Sequence, residues 1–418
     1  MRYLWIAHAI PYPPKAGLLL RSYNLLRELA RRQTVDLVAF VQEEWVRTLF
    51  PSLKEGLKES RCALEAFCGR VTFVPIDSLR RPWGKQLTAL HSLLSGSSYT
   101  TSWLDGPSGR RAIAAELAAN SYDLVHFDTV GLAPYRSLTA APASLMHHNI
   151  ESHMLLRRAD NATNFFARHY FRQEGRKLQS IERRTAPQFE VHITCSELDS
   201  ERFRQIVPDA TVVTVPNGVD CDYFVSSQRP PRPQSLIFVG SLNWYPNVDA
   251  MRFFLKDVWP GLKERLPGVT LDIVGSKPPE SLVRLARSLP DVIVHGHVPD
   301  VRPLLDSAAV FVCPIRDGGG TRLKLLDAFA MMKCVVAHPI ACEGIDVTAD
   351  RDVVYATTPG DFIAAIAAVL VDDDRRRAIG HAARRLVEQC YSFRSIGAQF
   401  AALLEGTARA RSGEALSA

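Results

Sequence analysis

The chain has 418 residues, more than one hydrophobic core usually organises, so two domains of about 200 residues each are expected. Hydrophobic residues at 47% and charged residues at 22% exclude a largely disordered or fibrous chain. Fifty Lys and Arg against 44 Asp and Glu leave a net charge of +6, which suits phosphate-bearing ligands or an anionic membrane better than extended wrapping of nucleic acid.

The opening MRYLWIAHAIPYPP reads as a strand entering a Pro-rich loop and not as a signal peptide. No run of 18 apolar residues occurs, so a cytoplasmic protein is expected. Short β-branched runs then alternate with longer amphipathic stretches, the βαβ pattern of parallel sheets covered on both faces. In the first half the predicted strands are Tyr3–Ile10, Val35–Val41, Val71–Ile76, Tyr122–Phe127, Ser144–His148, Val191–Cys195 and Val212–Val215, with a helix over Leu18–Arg32. SSQRPPRPQS, residues 226–235, carries three prolines and no apolar period, and predicts an exposed connection between domains.

Six further strands are predicted at Leu236–Gly240, Val269–Val274, Val292–Val294, Val310–Pro314, Cys334–Ala337 and Val353–Tyr355, with helices over Asn247–Leu266 and Thr321–Met332. Residues 372–405 read as helix, and the small, polar end after them as frayed. The resulting division is a first Rossmann-like domain over 1–215, a junction over 216–235, a second over 236–385, a returning helix over 386–405 and a tail over 406–418. In open parallel sheets the ligand crevice lies at the carboxyl ends of the strands, so functional residues are expected just after strands.

The eight cysteines form no CxxC pair and sit mostly in apolar segments, which predicts reduced thiols. The twelve histidines show no HExxH, so no protein-held metal is expected. No GxGxxG follows the first strand and no GxxxxGK[ST] occurs, which sets dinucleotide redox and P-loop kinase chemistry aside.

The segment CPIRDGGGTRLKLLDAFAMMKCVVA runs strand, glycine loop, helix, strand. Gly318, Gly319 and Gly320 leave backbone N–H groups bare before a helix, where unpaired donors and the dipole favour a phosphate. Thr321 follows, and Arg322 and Lys324 add two cations suited to diphosphate oxygens. Asp327 offers a carboxylate to ribose hydroxyls, or else an ordinary helix acid offsetting Lys324 at i+3.

Together with PYPPKAG, MHHNIES, PNGVDCDYF and FVGSLNWYPNVDAM, in this order and spacing, the segment resembles family 4 of the glycosyltransferases. The resemblance spans nearly the whole chain and implies an α/β fold of the GT-B type, two Rossmann-like lobes with an interdomain cleft. It also implies a nucleotide diphosphate sugar as donor, no tightly bound cofactor, and transfer with retention. The IPYPPKAGLLLRSYNLLRELA and VGSLNWYPNVDAMRFF segments are similar to sugar transferases of bacterial exopolysaccharide systems. Relatives usually carry two glutamates eight positions apart here; Asp327 stands at the second and Gly319 at the first, so one carboxylate is missing. The family's Arg and Lys after the first strand of the second lobe are replaced by Ser241, Leu242 and Asn243, and Arg322 and Lys324 are expected to supply that charge. By the same resemblance His148 contacts the donor sugar as a neutral imidazole backed by a carboxylate, and Asn217 lines the cleft.

Gly17, in the loop after the first strand, allows backbone to approach the donor, or simply makes a turn. Arg21, one turn on, is within reach of a phosphate or is a solvated helix residue. His147 is an alternative to His148, and His126, ending YDLVHF, a further candidate for the same crevice. Residues 151–184 carry eight Arg or Lys against four acids, interleaved with aromatics, a pattern that suits either a solvated face or docking on anionic lipid. The partners expected are therefore a nucleotide sugar, a glycan or lipid-linked acceptor, and no nucleic acid. An epimerase or phosphorylase on the same scaffold, or a silent nucleotide-sugar-binding partner protein, are the rival readings.

Overall fold

The computed structural model describes residues 1–14, 17–80, 82–160, 162, 164–317 and 321–411. Residues 1–216 with the chain from Ile396 onward form one compact unit, and 217–395 form another.

In the first unit seven strands pair in parallel: β1 (Arg2–Ala7), β2 (Thr34–Val41), β3 (Val71–Pro75), β4 (Leu124–Phe127), β5 (Ala143–His147), β6 (Val191–Thr194) and β7 (Val212–Thr214). Their order is β3-β2-β1-β4-β5-β6-β7. Successive side chains of a strand point to opposite faces, which explains why near-continuous apolar runs form this sheet. Tyr3, Trp5 and Ala7 pack with Leu37, Met146 and Ile193 on one face, under Leu25, Leu26 and Leu29 of the Gly17–Ala30 helix. Leu4 and Ile6 pack with Phe40, Phe127 and Leu145 on the other, under Leu104, Ile113 and Tyr135.

The Phe393–Arg411 helix closes the first face with Ile396, Phe400 and Leu404, one apolar residue per turn. Gly397 permits that contact, because a Cβ there would run into the Glu28 side chain. The helix continues through Arg411, so residues 406–411 are not frayed as their composition suggests; 412–418 lie outside the described residues.

The second unit repeats the design with β8 (Ser235–Val239), β9 (Thr270–Val274), β10 (Val292–Gly296), β11 (Val310–Cys313), β12 (Cys334–Ala337) and β13 (Val354–Tyr355), in the order β10-β9-β8-β11-β12-β13. Phe238, Ile273, Val312 and Val336 face Phe254, Trp259 and Phe362, while Phe311, Cys313 and Val335 face Leu325, Leu326 and Phe329. All thirteen predicted strands are present, so the chain is an α/β protein of two parallel-sheet units.

Three expectations change. The Asn247–Leu266 helix is Tyr245–Phe253 and Trp259–Arg265 joined by a π-type turn over Phe254–Val258, with Pro260 at the start of the second piece. The 372–405 helix is two, Asp373–Leu386 and Phe393–Arg411, because the chain between them turns out to bridge Ser392 to Val219. The 226–235 stretch is largely exposed as expected but belongs to the second unit, where Ser226 and Ser227 bind Asp306 and Arg232 pairs with the buried Asp272. Arg384 likewise holds Cys221 and Phe224 by their carbonyls, so the unit boundaries fall at Pro216/Asn217 and Ser395/Ile396.

Candidate functional site

In each sheet the first strand lies inside and the order reverses beside it, between β1 and β4 and between β8 and β11. At such a switch point the crevice outside the carboxyl ends has no crossover covering it. In each unit the residues just past these strands can therefore offer side chains to a ligand.

In the first unit that place collects His8 after β1, Asp128 after β4 and His148 after β5. His148 Nε2 lies 3.1 Å from Asp128 Oδ1, and His8 Nδ1 lies 3.3 Å from Oδ2. Ser22 Oγ, from the first helix, donates to the same carboxylate at 3.0 Å. Burial alone would raise the Asp128 carboxyl, but His148 and His8 outweigh it and hold it well below the ordinary carboxylate range. Burial likewise opposes charge on His148, and Asp128 outweighs that too, pushing the imidazole up to about 9. His148 is thus an imidazolium at neutral pH, where the motif led us to expect a neutral ring.

Glu151, one turn beyond, accepts from Thr129 Oγ1 at 2.9 Å, and burial raises its carboxyl. His8, Asp128 and His148 have ligating atoms within 4.8 Å of one another, the one such grouping among the described residues.

The other first-unit candidates fall elsewhere. His126 sits inside β4, facing Trp5 at 4.2 Å between ring centroids and Phe400 at 5.4 Å, and burial pushes it down to about 3. His147 packs on Phe203 and bonds His192 at 3.0 Å, in the core. Arg21 is 2% exposed and donates to the carbonyls of Val215 and Pro216, both at 2.6 Å, so it secures the end of the unit and does not wait for a phosphate. Gly17 is the first residue of its helix.

In the second unit, Lys324 Nζ reaches from the Leu323–Ala330 helix to Asn247 Oδ1 at 2.5 Å, and lies 4.5 Å from the Phe238 ring centroid. Asn247 Nδ2 donates to Ser241 O at 2.7 Å, which fixes the amide's orientation. Gly240 is required beside them, since a Cβ would collide with Lys324 Nζ and approach Asn247 Nδ2 to 3.0 Å. Burial first, then the neighbouring Arg322, pushes Lys324 down to about 8. Burial raises Asp327 to about 7, and no salt bridge joins it to Lys324 among the described residues.

Arg322 is the N-cap residue of that helix and donates to Asp317 O at 3.3 Å. Thr321 Oγ1 is buried with no hydrogen-bond partner among the described residues. Ser241 and Asn243, both exposed, bond each other at 2.7 Å, with Ser276 Oγ 3.1 Å away. Asn217 opens the second unit. Gly318, Gly319 and Gly320 lie outside the described residues.

Two family models cover most of the chain. One of glycosyltransferase family 4 matches residues 72–223, and one of group 1 glycosyl transferases matches residues 233–372. The chain is a GT-B glycosyltransferase. Solved structures repeat the enzyme's architecture at low identity. Sucrose-phosphate synthase from Thermosynechococcus elongatus is 16% identical with a TM-score of 0.69, covering 98% of this chain and 100% of that one. Anabaena HepE in complex with UDP is 15% identical with a TM-score of 0.65, covering 97% and 100%. Staphylococcus aureus TarM with fondaparinux, alpha-GlcNAc-glycerol and UDP is 14% identical with a TM-score of 0.54, covering 71% and 59%. No protein of curated function matches the glycosyltransferase by sequence.

Sequence reading missed His8, Ser22 and Asp128, which come from three separate elements, and Asn247, which lies inside the quoted NWYPN segment. The position of Asp128 and of His8, one residue past strand ends at the switch point, was a usable signal.

Proposed function

We propose that this glycosyltransferase moves a hexose from a nucleotide diphosphate sugar to a glycan or lipid-linked acceptor, with retention, in exopolysaccharide or other cell-surface polysaccharide synthesis. The observation that carries the reading is the half-buried cation Lys324, held between Asn247 and Phe238 at the carboxyl edge of β8, with Arg322 and the Thr321 hydroxyl, unbonded among the described residues, beside it. Lys324 and Arg322 neutralise the diphosphate, Thr321 donates to it, and Asp327 meets the ribose. UDP in HepE and TarM, and the sugar ligands of TarM, support a nucleotide-sugar donor and a glycan acceptor. Eight free cysteines with no disulfide, and no described helix long and apolar enough to cross a membrane, fit a cytoplasmic setting.

In the transfer, the bond between the anomeric carbon and the leaving phosphate oxygen breaks. The acceptor oxygen bonds that carbon on the same face, and its proton passes to the leaving phosphate. The growing phosphate charge falls on Arg322 and Lys324, so they matter more in the transition state than in the ground state. His148, charged through Asp128, hydrogen-bonds a hydroxyl of the transferred sugar, and the Asp128 carboxylate offsets positive charge developing at the anomeric carbon.

The test is incubation of the enzyme with labelled nucleotide sugars and oligosaccharide or polyprenyl-phosphate sugar acceptors. Acceptor-dependent release of nucleoside diphosphate, with product of the donor's anomeric configuration by NMR, is expected. Inverted product, or turnover of donor to an epimer without acceptor, overturns the reading.

A further inference from the structure

The first unit exposes a row of large apolar side chains that its own core does not use. Trp83, Leu87, Leu90 and Leu94 are 74%, 55%, 53% and 82% exposed along the Gly84–Leu94 helix. The spacing of Leu87, Leu90 and Leu94, i, i+3 and i+7, sets these three within about 60° on one helix face, and Trp83 immediately precedes the helix as its N-cap. The opposite side holds the helix to the unit. Gly84 and Ser92 are buried, Gln173 Nε2 donates to Leu93 O at 3.1 Å, and Lys177 Nζ donates to Ser92 O. The apolar row is thus turned outward by a firm attachment on its back.

The Phe165–Thr185 helix that provides this attachment begins with two more exposed aromatics, Phe165 at 72% and Phe166 at 80%. They stand about 10 Å along that helix from Gln173. Exposed apolar groups this close together mark an interaction surface.

The charge around them selects the partner. Arg80, Lys85, Arg168, Arg172 and Arg176 are exposed, Lys85 pairing with Glu44 at 2.6 Å. The acids of the same region are mostly turned inward. Glu174 and Glu182 are 2% and 1% exposed and accept from Tyr99 N and Ser152, and Glu151 accepts from Thr129. Asp160, paired with Arg172 at 2.9 Å, is the exposed acid of residues 151–184. A face that joins aromatic and leucine side chains to cations fits the boundary of an anionic bilayer. A second copy of the chain would meet it through the same patch, bringing like charges together.

We infer that this face docks the enzyme on an anionic lipid surface, with Trp83, Leu87, Leu90 and Leu94 entering the headgroup boundary and Arg168, Arg172 and Arg176 meeting lipid phosphates. The inference stands apart from the donor-site reading, because none of these residues belongs to that site.

The test is sedimentation of the full chain with phosphatidylcholine vesicles and with vesicles containing phosphatidylglycerol. Binding to the anionic vesicles about tenfold or more above the neutral ones, weakening with salt, is expected. Leu87→Gln/Leu90→Gln/Leu94→Gln should lose about tenfold or more of that binding with an unchanged melting midpoint, since these side chains make few contacts in the fold. Arg168→Gln/Arg172→Gln/Arg176→Gln should abolish the preference for anionic lipid. Wild type that ignores both vesicles, a leucine variant that binds as wild type, or a concentration-dependent dimer that the leucine variant dissolves would each overturn the inference.

Discussion

The two sheets place different chemistry at equivalent positions. At the β1/β4 switch point His148 and Ser22 bond a buried Asp128 carboxylate, and His8 Nδ1 approaches it to 3.3 Å. At the β8/β11 switch point two cations come together: Lys324 has lost much of its hydration, Arg322 stands beside it, and the Thr321 hydroxyl has no hydrogen-bond partner among the described residues. On the proposed reading the first cluster suits orienting a neutral sugar, while the two cations of the second suit a diphosphate. On that reading the same topology serves two tasks because the residues just past the strands differ, which is how one fold carries varied function.

The difference can be broken from either side. On the proposed reading Arg322→Ala/Lys324→Ala should slow transfer by about 10³-fold, roughly 4 kcal/mol of transition-state stabilisation, in steady-state assays, because both charges act where the leaving group develops its own. A loss no greater than that of His148→Ala would erase the distinction between the sites.

A smaller effect follows from the titration of the first site. Asp128 is depressed on folding, so its contribution is present above about pH 4 and is lost as pH falls further. His148 is raised, so its contribution is full below about pH 6.5 and disappears as pH rises through about 9. Wild type should lose about 2–3 kcal/mol from this source between pH 6 and 10 in denaturant titrations. In Asp128→Asn that loss should shrink, and His148 should titrate lower than in wild type, since burial is then opposed chiefly by Cys195; NMR of the ring protons reads this directly.

Smaller again is Gly240→Ala, which forces a Cβ onto Lys324 Nζ and should cost about 2 kcal/mol of stability by thermal melting. In a Lys324→Ala background the penalty should largely vanish, because the flexible obstacle is gone. An equal penalty in both backgrounds would mean that Asn247, not Lys324, fixes the close approach.

The strands were legible because most are short apolar runs buried on both faces, as Tyr3 to Ala7 illustrate with no exposed surface at all. The helices were less so. Tertiary packing breaks the 245–266 run at a π-type turn that no spacing rule announces, and the docking helix at Gly84–Leu94 has an apolar face pointing the unconventional way. At the sites, Lys324 and His148 could be read from local motifs. Asp128 could not, because its partners come from positions 8, 22 and 148 and meet only when the sheet forms. His126 and His148 look alike in sequence, yet one lies within β4 and points into the core while the other stands one residue past β5. A single step along a strand reverses the face a side chain occupies.

The most direct measurement is calorimetric titration of nucleoside diphosphates into wild type and Lys324→Ala. The account predicts that one base binds wild type and that the variant binds it about 100-fold more weakly, about 2.7 kcal/mol. Equal affinity in the two proteins would contradict it.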